Sequence, residues 1–60
     1  MFFKVSDLIE RLTEIANDGY ETVNIDLIEA DDDLPAAITF EVIANKSLSI
    51  DYDEVEAIED

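Results

Sequence analysis

Ala37-Ile38-Thr39-Phe40-Glu41-Val42-Ile43-Ala44-Asn45-Lys46-Ser47-Leu48-Ser49-Ile50-Asp51-Tyr52 is the stretch that decides the fold. Through residues 37–44 the side chains alternate. Ile38, Phe40, Val42 and Ala44 fall on one face of an extended chain, and Thr39, Glu41 and Ile43 on the other. Asn45-Lys46 then supplies a two-residue turn, with a weaker preference for hairpin geometry than Asn-Gly has. Beyond it Leu48, Ile50 and Tyr52 share a face, opposite Ser47, Ser49 and Asp51. Two period-two runs across a tight turn predict an antiparallel hairpin.

Upstream, residues 21–29 carry the same period. Val23, Ile25 and Leu27 point one way, and Thr22, Asn24, Asp26 and Ile28 the other. Between this run and the hairpin, Ala30 to Pro35 breaks the pattern with Asp31, Asp32, Asp33 and the only proline. Further upstream the period changes. Val5, Leu8, Ile9, Leu12, Ile15 and Ala16 recur at the three-to-four spacing of one helical face, which predicts a helix over residues 5–18. Ser6 is the expected N-cap, and Asp7 suits the positive end of the helix dipole. Position 9 is Ile rather than Glu or Gln, so the full capping box is missing. Asp7 and Arg11 are spaced for an i,i+4 ion pair, and Glu10 and Glu14 for repulsion. Asn17-Asp18-Gly19 ends the helix, Gly19 being free to take the left-handed conformation that such ends favour.

Two ends remain. Met1 to Lys4 is either a short extra strand or an arm over the core. Asp53 with Glu56 three residues on has the form of a capping box, and Val55 and Ile58 sit three apart, so the chain closes on a short helical turn or runs out as an acidic tail. The expected architecture is α+β: one domain over residues 1–60, with an amphipathic helix packed on a three-stranded antiparallel meander. The helix stripe would face three rows, Val23/Ile25/Leu27, Ile38/Phe40/Val42 and Leu48/Ile50/Tyr52.

A segment within this chain resembles a recurring type of short acidic protein found in bacterial genomes, phages and mobile elements. Lys4-Val5-Ser6-Asp7-Leu8-Ile9-Glu10-Arg11-Leu12, then Asp18 and Thr22-Val23-Asn24-Ile25, carry the resemblance, which covers the first half. In place of the Asp-Pro-Asp turn common in that type stands Asn17-Asp18-Gly19-Tyr20. The resemblance implies a mobile-element or accessory origin and transfers no functional residue.

Composition bounds the chemistry. Seventeen carboxylates face three cations, Lys4, Arg11 and Lys46, for a net charge of −14. Direct binding to nucleic acid or to an anionic membrane needs cationic contacts, so both are excluded as partners; a basic protein or a divalent cation is attracted. There is no cysteine and no histidine. Disulfides, thiolate metal sites and the commonest general base are thereby ruled out. No apolar h-region or membrane-length run is present, and the reading is of a cytoplasmic protein without cofactor. A chain of 60 residues buries only about 60% of its unfolded surface, so self-association is an expected source of stability.

Three sets of residues are candidates for function. Asp31, Asp32 and Asp33 are weak calcium candidates, because the EF-hand spacing is absent and consecutive side chains diverge. Asp7, Glu10, Glu14, Asp18, Asp53, Glu54 and Glu56 form the acidic surface for a basic partner, or for mimicry of DNA toward a nucleic-acid-binding protein of a defence or restriction system. Thr22, Asn24, Ile28, Thr39 and Ile43 lie on the sheet face away from the helix, β-branched and largely neutral, and form the expected interface of a homodimer. Catalysis by paired carboxylates would need a cleft that one helix on three strands has little room to build. The expected activity is that of a non-enzymatic protein–protein interaction module.

Overall fold

A computed structural model describes residues 1–58. Helix α1 spans Val5–Asn17, and strands β1 Asn24–Ile28, β2 Ala37–Asn45 and β3 Leu48–Glu56 follow in chain order. The strands form one antiparallel sheet in the order β1-β2-β3, with α1 against one face. The α+β arrangement read from the periodicity is the arrangement observed.

The helix starts earlier than its first good capping residue. Lys4, extended at φ −72° and ψ 127°, is the N-cap, and its carbonyl accepts the Leu8 amide at 3.2 Å. Ser6 therefore lies inside the first turn, and no side chain caps the helix. The C-terminus ends as expected. Gly19 takes φ +96°, its amide reaches the Ala16 carbonyl at 3.0 Å, and the Tyr20 amide reaches that of Ile15 at 3.3 Å. These two bonds are the paired closure of a Schellman motif.

β2 pairs with β1 through Asn24↔Glu41, Ile25↔Phe40 and Leu27↔Ile38. It pairs with β3 through Val42↔Ile50, Phe40↔Tyr52 and Ile38↔Val55. Between the last two pairs the register shifts, so Thr39 alone stands opposite Asp53 and Glu54. That bulge lets Tyr52 and Val55, three residues apart, both face the helix. It also corrects the closing helical turn: Asp53 to Glu56 is strand, and β3 runs on to Glu56. Ile58 continues past it, its amide bonding the Phe2 carbonyl at 2.8 Å, so the N-terminal residues pair beside the end of the chain.

The hairpin turn falls one residue later than expected, at Lys46-Ser47. Asn45 pairs with Leu48, and Asn45 Oδ1 accepts the Ser47 amide at 3.0 Å and its hydroxyl at 3.3 Å. Among the described residues no non-glycine residue has positive φ, so the left-handed type I′ turn is not used. The asparagine instead closes the turn with its own side chain.

The core is Ile15, Phe40, Val42 and Val55, with Phe3, Leu8, Tyr20, Val23, Ile38 and Tyr52 packed around it. The expected rows hold in part, with Val23, Ile38, Phe40, Val42 and Tyr52 packed as read. Ile25 and Leu27 stay 50% and 54% exposed, and Leu48 is exposed as well. The helix approaches β3, not β1. The helix lies toward the β3 edge of the sheet rather than across its middle. One strand is left bare.

Candidate functional site

Arg11 sets where the helix lies. Its Nε donates to the Asp53 carbonyl at 2.7 Å, at the bulge where the β3 ladder is interrupted. The expected pairing with Asp7 is replaced by a long contact with Glu14 at 3.9 Å. At the far end of the helix, the Tyr52 hydroxyl donates to Asp18 Oδ2 at 2.6 Å. That hydrogen bond, with desolvation and the nearby negative charge, pushes the Tyr52 hydroxyl up to about 12. Two polar contacts thus tie one flank of α1 to β3.

The other flank is apolar and uncovered. Leu12 lies about 100° around the helix from Arg11. Val5, Ile9 and Leu12 recur on that side and stay 69%, 58% and 41% exposed. On the same side of the sheet the Ile25 and Leu27 row of β1 is bare. Periodicity places all five in the core; the offset of α1 toward β3, which no periodicity encodes, leaves them exposed.

The opposite sheet face is more acidic than the strand alternation implies. Asp26, Thr39, Glu41, Asp51 and Glu54 line an open depression of about 370 Å³, together with Phe40 and Tyr52. Glu54 reaches this face because of the bulge. Asn24 Nδ2 donates to Asp26 at 3.2 Å and to Glu41 at 3.5 Å, setting one neutral amide between two carboxylates. The Thr39 hydroxyl donates to the Asp26 carbonyl at 3.5 Å.

Of the dimer set, Asn24, Ile28, Thr39 and Ile43 share the sheet face away from the helix, Thr39 lining the acidic depression there, and Thr22 precedes β1. Of the acidic set, Glu54 joins the depression, Asp18 holds Tyr52, and Asp7, Glu10 and Glu14 remain on the helix. Asp53 sits at the bulge, and Glu56 pairs opposite Ala37. Asp31 Oδ1 accepts the amides of Asp33 at 3.0 Å and Leu34 at 3.2 Å, which commits that carboxylate to its own loop. Among the described residues no three carboxylates converge to hold a metal ion, and no helix is long and apolar enough to cross a membrane.

Comparison with protein-family models, with curated proteins and with solved structures gave no match.

Proposed function

We propose that this chain is a non-enzymatic interaction module that docks a protein on the apolar surface between the free flank of α1 and β1. The carrying observation is that Val5, Ile9, Leu12, Ile25 and Leu27 are all at least two-fifths exposed in a domain that buries six apolar residues among those described. Clustered aliphatic exposure of this kind on a small domain marks an interaction surface. A lack of histidine and cysteine supports a role without catalysis, and a cysteine-free composition supports a cytoplasmic setting. The test is affinity capture from a lysate of the source cells, supplemented with a differently tagged copy of the chain. A protein captured by the native chain should be lost with Leu12→Lys or Leu27→Lys and kept with Leu34→Lys, a loop position that is equally open. Capture that ignores Leu12 and Leu27 overturns the reading.

A second reading draws on the acidic face. Asp26, Glu41, Asp51 and Glu54 share one surface, the kind of array that a mimic of DNA phosphates presents to a nucleic-acid-binding protein. Under this reading the captured partner binds DNA, duplex DNA displaces it, and Glu41→Gln with Asp51→Asn weakens capture. Indifference to duplex removes it.

A further inference from the structure

Resting on the docking reading above, we propose that the occupant of the bare surface is a second copy of this chain, joined antiparallel through β1 to make a six-stranded sheet with both helices on one side.

Area is the first argument. A monomeric protein of 6.8 kDa exposes about 4,000 Å², whereas this chain exposes 4617 Å². The excess is on the order of 600 Å², close to the roughly 800 Å² per partner of a standard interface. β1 is an edge strand, so one row of its backbone N–H and C=O groups has no ladder partner.

Charge is the second. A copy of this chain brings another −14, so two copies can meet only where the surface is nearly neutral. Residues 22–28 (Thr-Val-Asn-Ile-Asp-Leu-Ile) carry a single charge, Asp26. No other exposed edge combines so little charge with bare aliphatic side chains among the described residues. A cationic partner would instead select the acidic sheet face.

Register follows from the same residue. A two-fold axis through Asp26 sets that carboxylate opposite its own copy, which is unfavourable. An axis through Leu27 sets Ile25 opposite Glu29. An axis through Ile25 pairs Ile25 with itself, Val23 with Leu27, and Asn24 with Asp26. It keeps one apolar row continuous on the helix-bearing face of the joined sheet and places an amide donor against the only carboxylate of the strand. The geometry selects the Ile25 axis.

Sedimentation equilibrium of the full chain at rising NaCl, with single-cysteine variants of this cysteine-free protein, tests the proposal. The expected result is a dimer that tightens as salt screens the like charges, the opposite trend from a cationic partner. Ile25→Glu should give monomers at every salt, and Ile43→Glu, on the other sheet face, should leave the dimer intact. A mild oxidant should link Ile25→Cys to its copy and leave Leu27→Cys unlinked, since residues directly opposite bring their Cβ atoms within about 4.5–5.5 Å. A dimer in which Ile25→Cys never links overturns the β1 pairing. A native chain monomeric at all salt concentrations overturns the second copy, and leaves the docking reading standing if Leu27→Lys still abolishes capture of another protein. Monomers whose capture ignores Leu27 overturn both.

Discussion

Tyr52 donates its hydroxyl to Asp18 at 2.6 Å and so closes the C-terminal end of α1 onto β3. Only the neutral phenol can donate, so the contact holds the tyrosine protonated up to about 12, against an ordinary 10.0. Because the folded value is raised, this contribution to stability is complete below pH about 10 and is lost as the pH climbs through about 12. In a Tyr20→Phe background, phenolate absorbance should show Tyr52 half-ionised near pH 12, and adding Asp18→Asn should bring it down toward the ordinary value. An unchanged titration after Asp18→Asn would remove the hydrogen bond as the cause. One residue further on, Gly19 stands at φ +96° with open space where a Cβ would lie. The cost of Gly19→Ala is therefore backbone strain alone, about 1–2 kcal/mol, which should appear as a lowered urea midpoint at unchanged slope.

Among the elements, the bulge in β3 decides most. It interrupts the ladder at Asp53 and Glu54, gives Arg11 a carbonyl to hold, and carries Val55 into the core and Glu54 to the acidic face. Arg11→Met keeps the aliphatic stem and removes the donor. It should cost about 1–2 kcal/mol and loosen the helix from β3, measurable as faster amide exchange in residues 5–17 without loss of the strands. Exchange as slow as in the native chain would mean that Arg11 does not position the helix. Much of this scale was legible in the sequence. The period change between Ile15 and Val23 separated helix from sheet, Gly19 marked the helix end, and alternation through Phe40 and Ile50 specified the hairpin. The bulge was not legible. A strict period of two after Tyr52 makes Asp53-Glu54-Val55-Glu56 look like a helix start, and only pairing with β2 recovers it as strand. Nor could periodicity say which strand the helix would leave bare: Ile25 and Ile38 alternate alike, and the choice between them is made by a tertiary contact from Arg11 to Asp53. Ser6 lost its cap for a similar reason, because Lys4 was already extended and available one turn ahead of Leu8.

At the scale of the whole molecule the chain is a slab, 35 × 24 × 12 Å, with a radius of gyration of 12.5 Å. A compact domain of this length has a radius near 10 Å. The difference has the same origin as the bare β1: one helix covers part of one sheet face, and among the described residues nothing covers the other. Two forces then act on stability in ways that can be separated. Self-repulsion among 17 carboxylates is intramolecular, so screening it with salt should raise the melting temperature of native and Ile25→Glu chains alike, at any protein concentration. Association through β1 is a mass-action effect, so the native chain should also melt higher as its concentration rises, while Ile25→Glu should not. For a domain this small, each kcal/mol of coupling moves the midpoint by roughly 4–8 °C. A hundredfold concentration series read by calorimetry would resolve that shift. A native midpoint independent of concentration but dependent on salt would leave charge as the whole explanation for marginal stability, and would return the uncovered strand to a partner other than this chain.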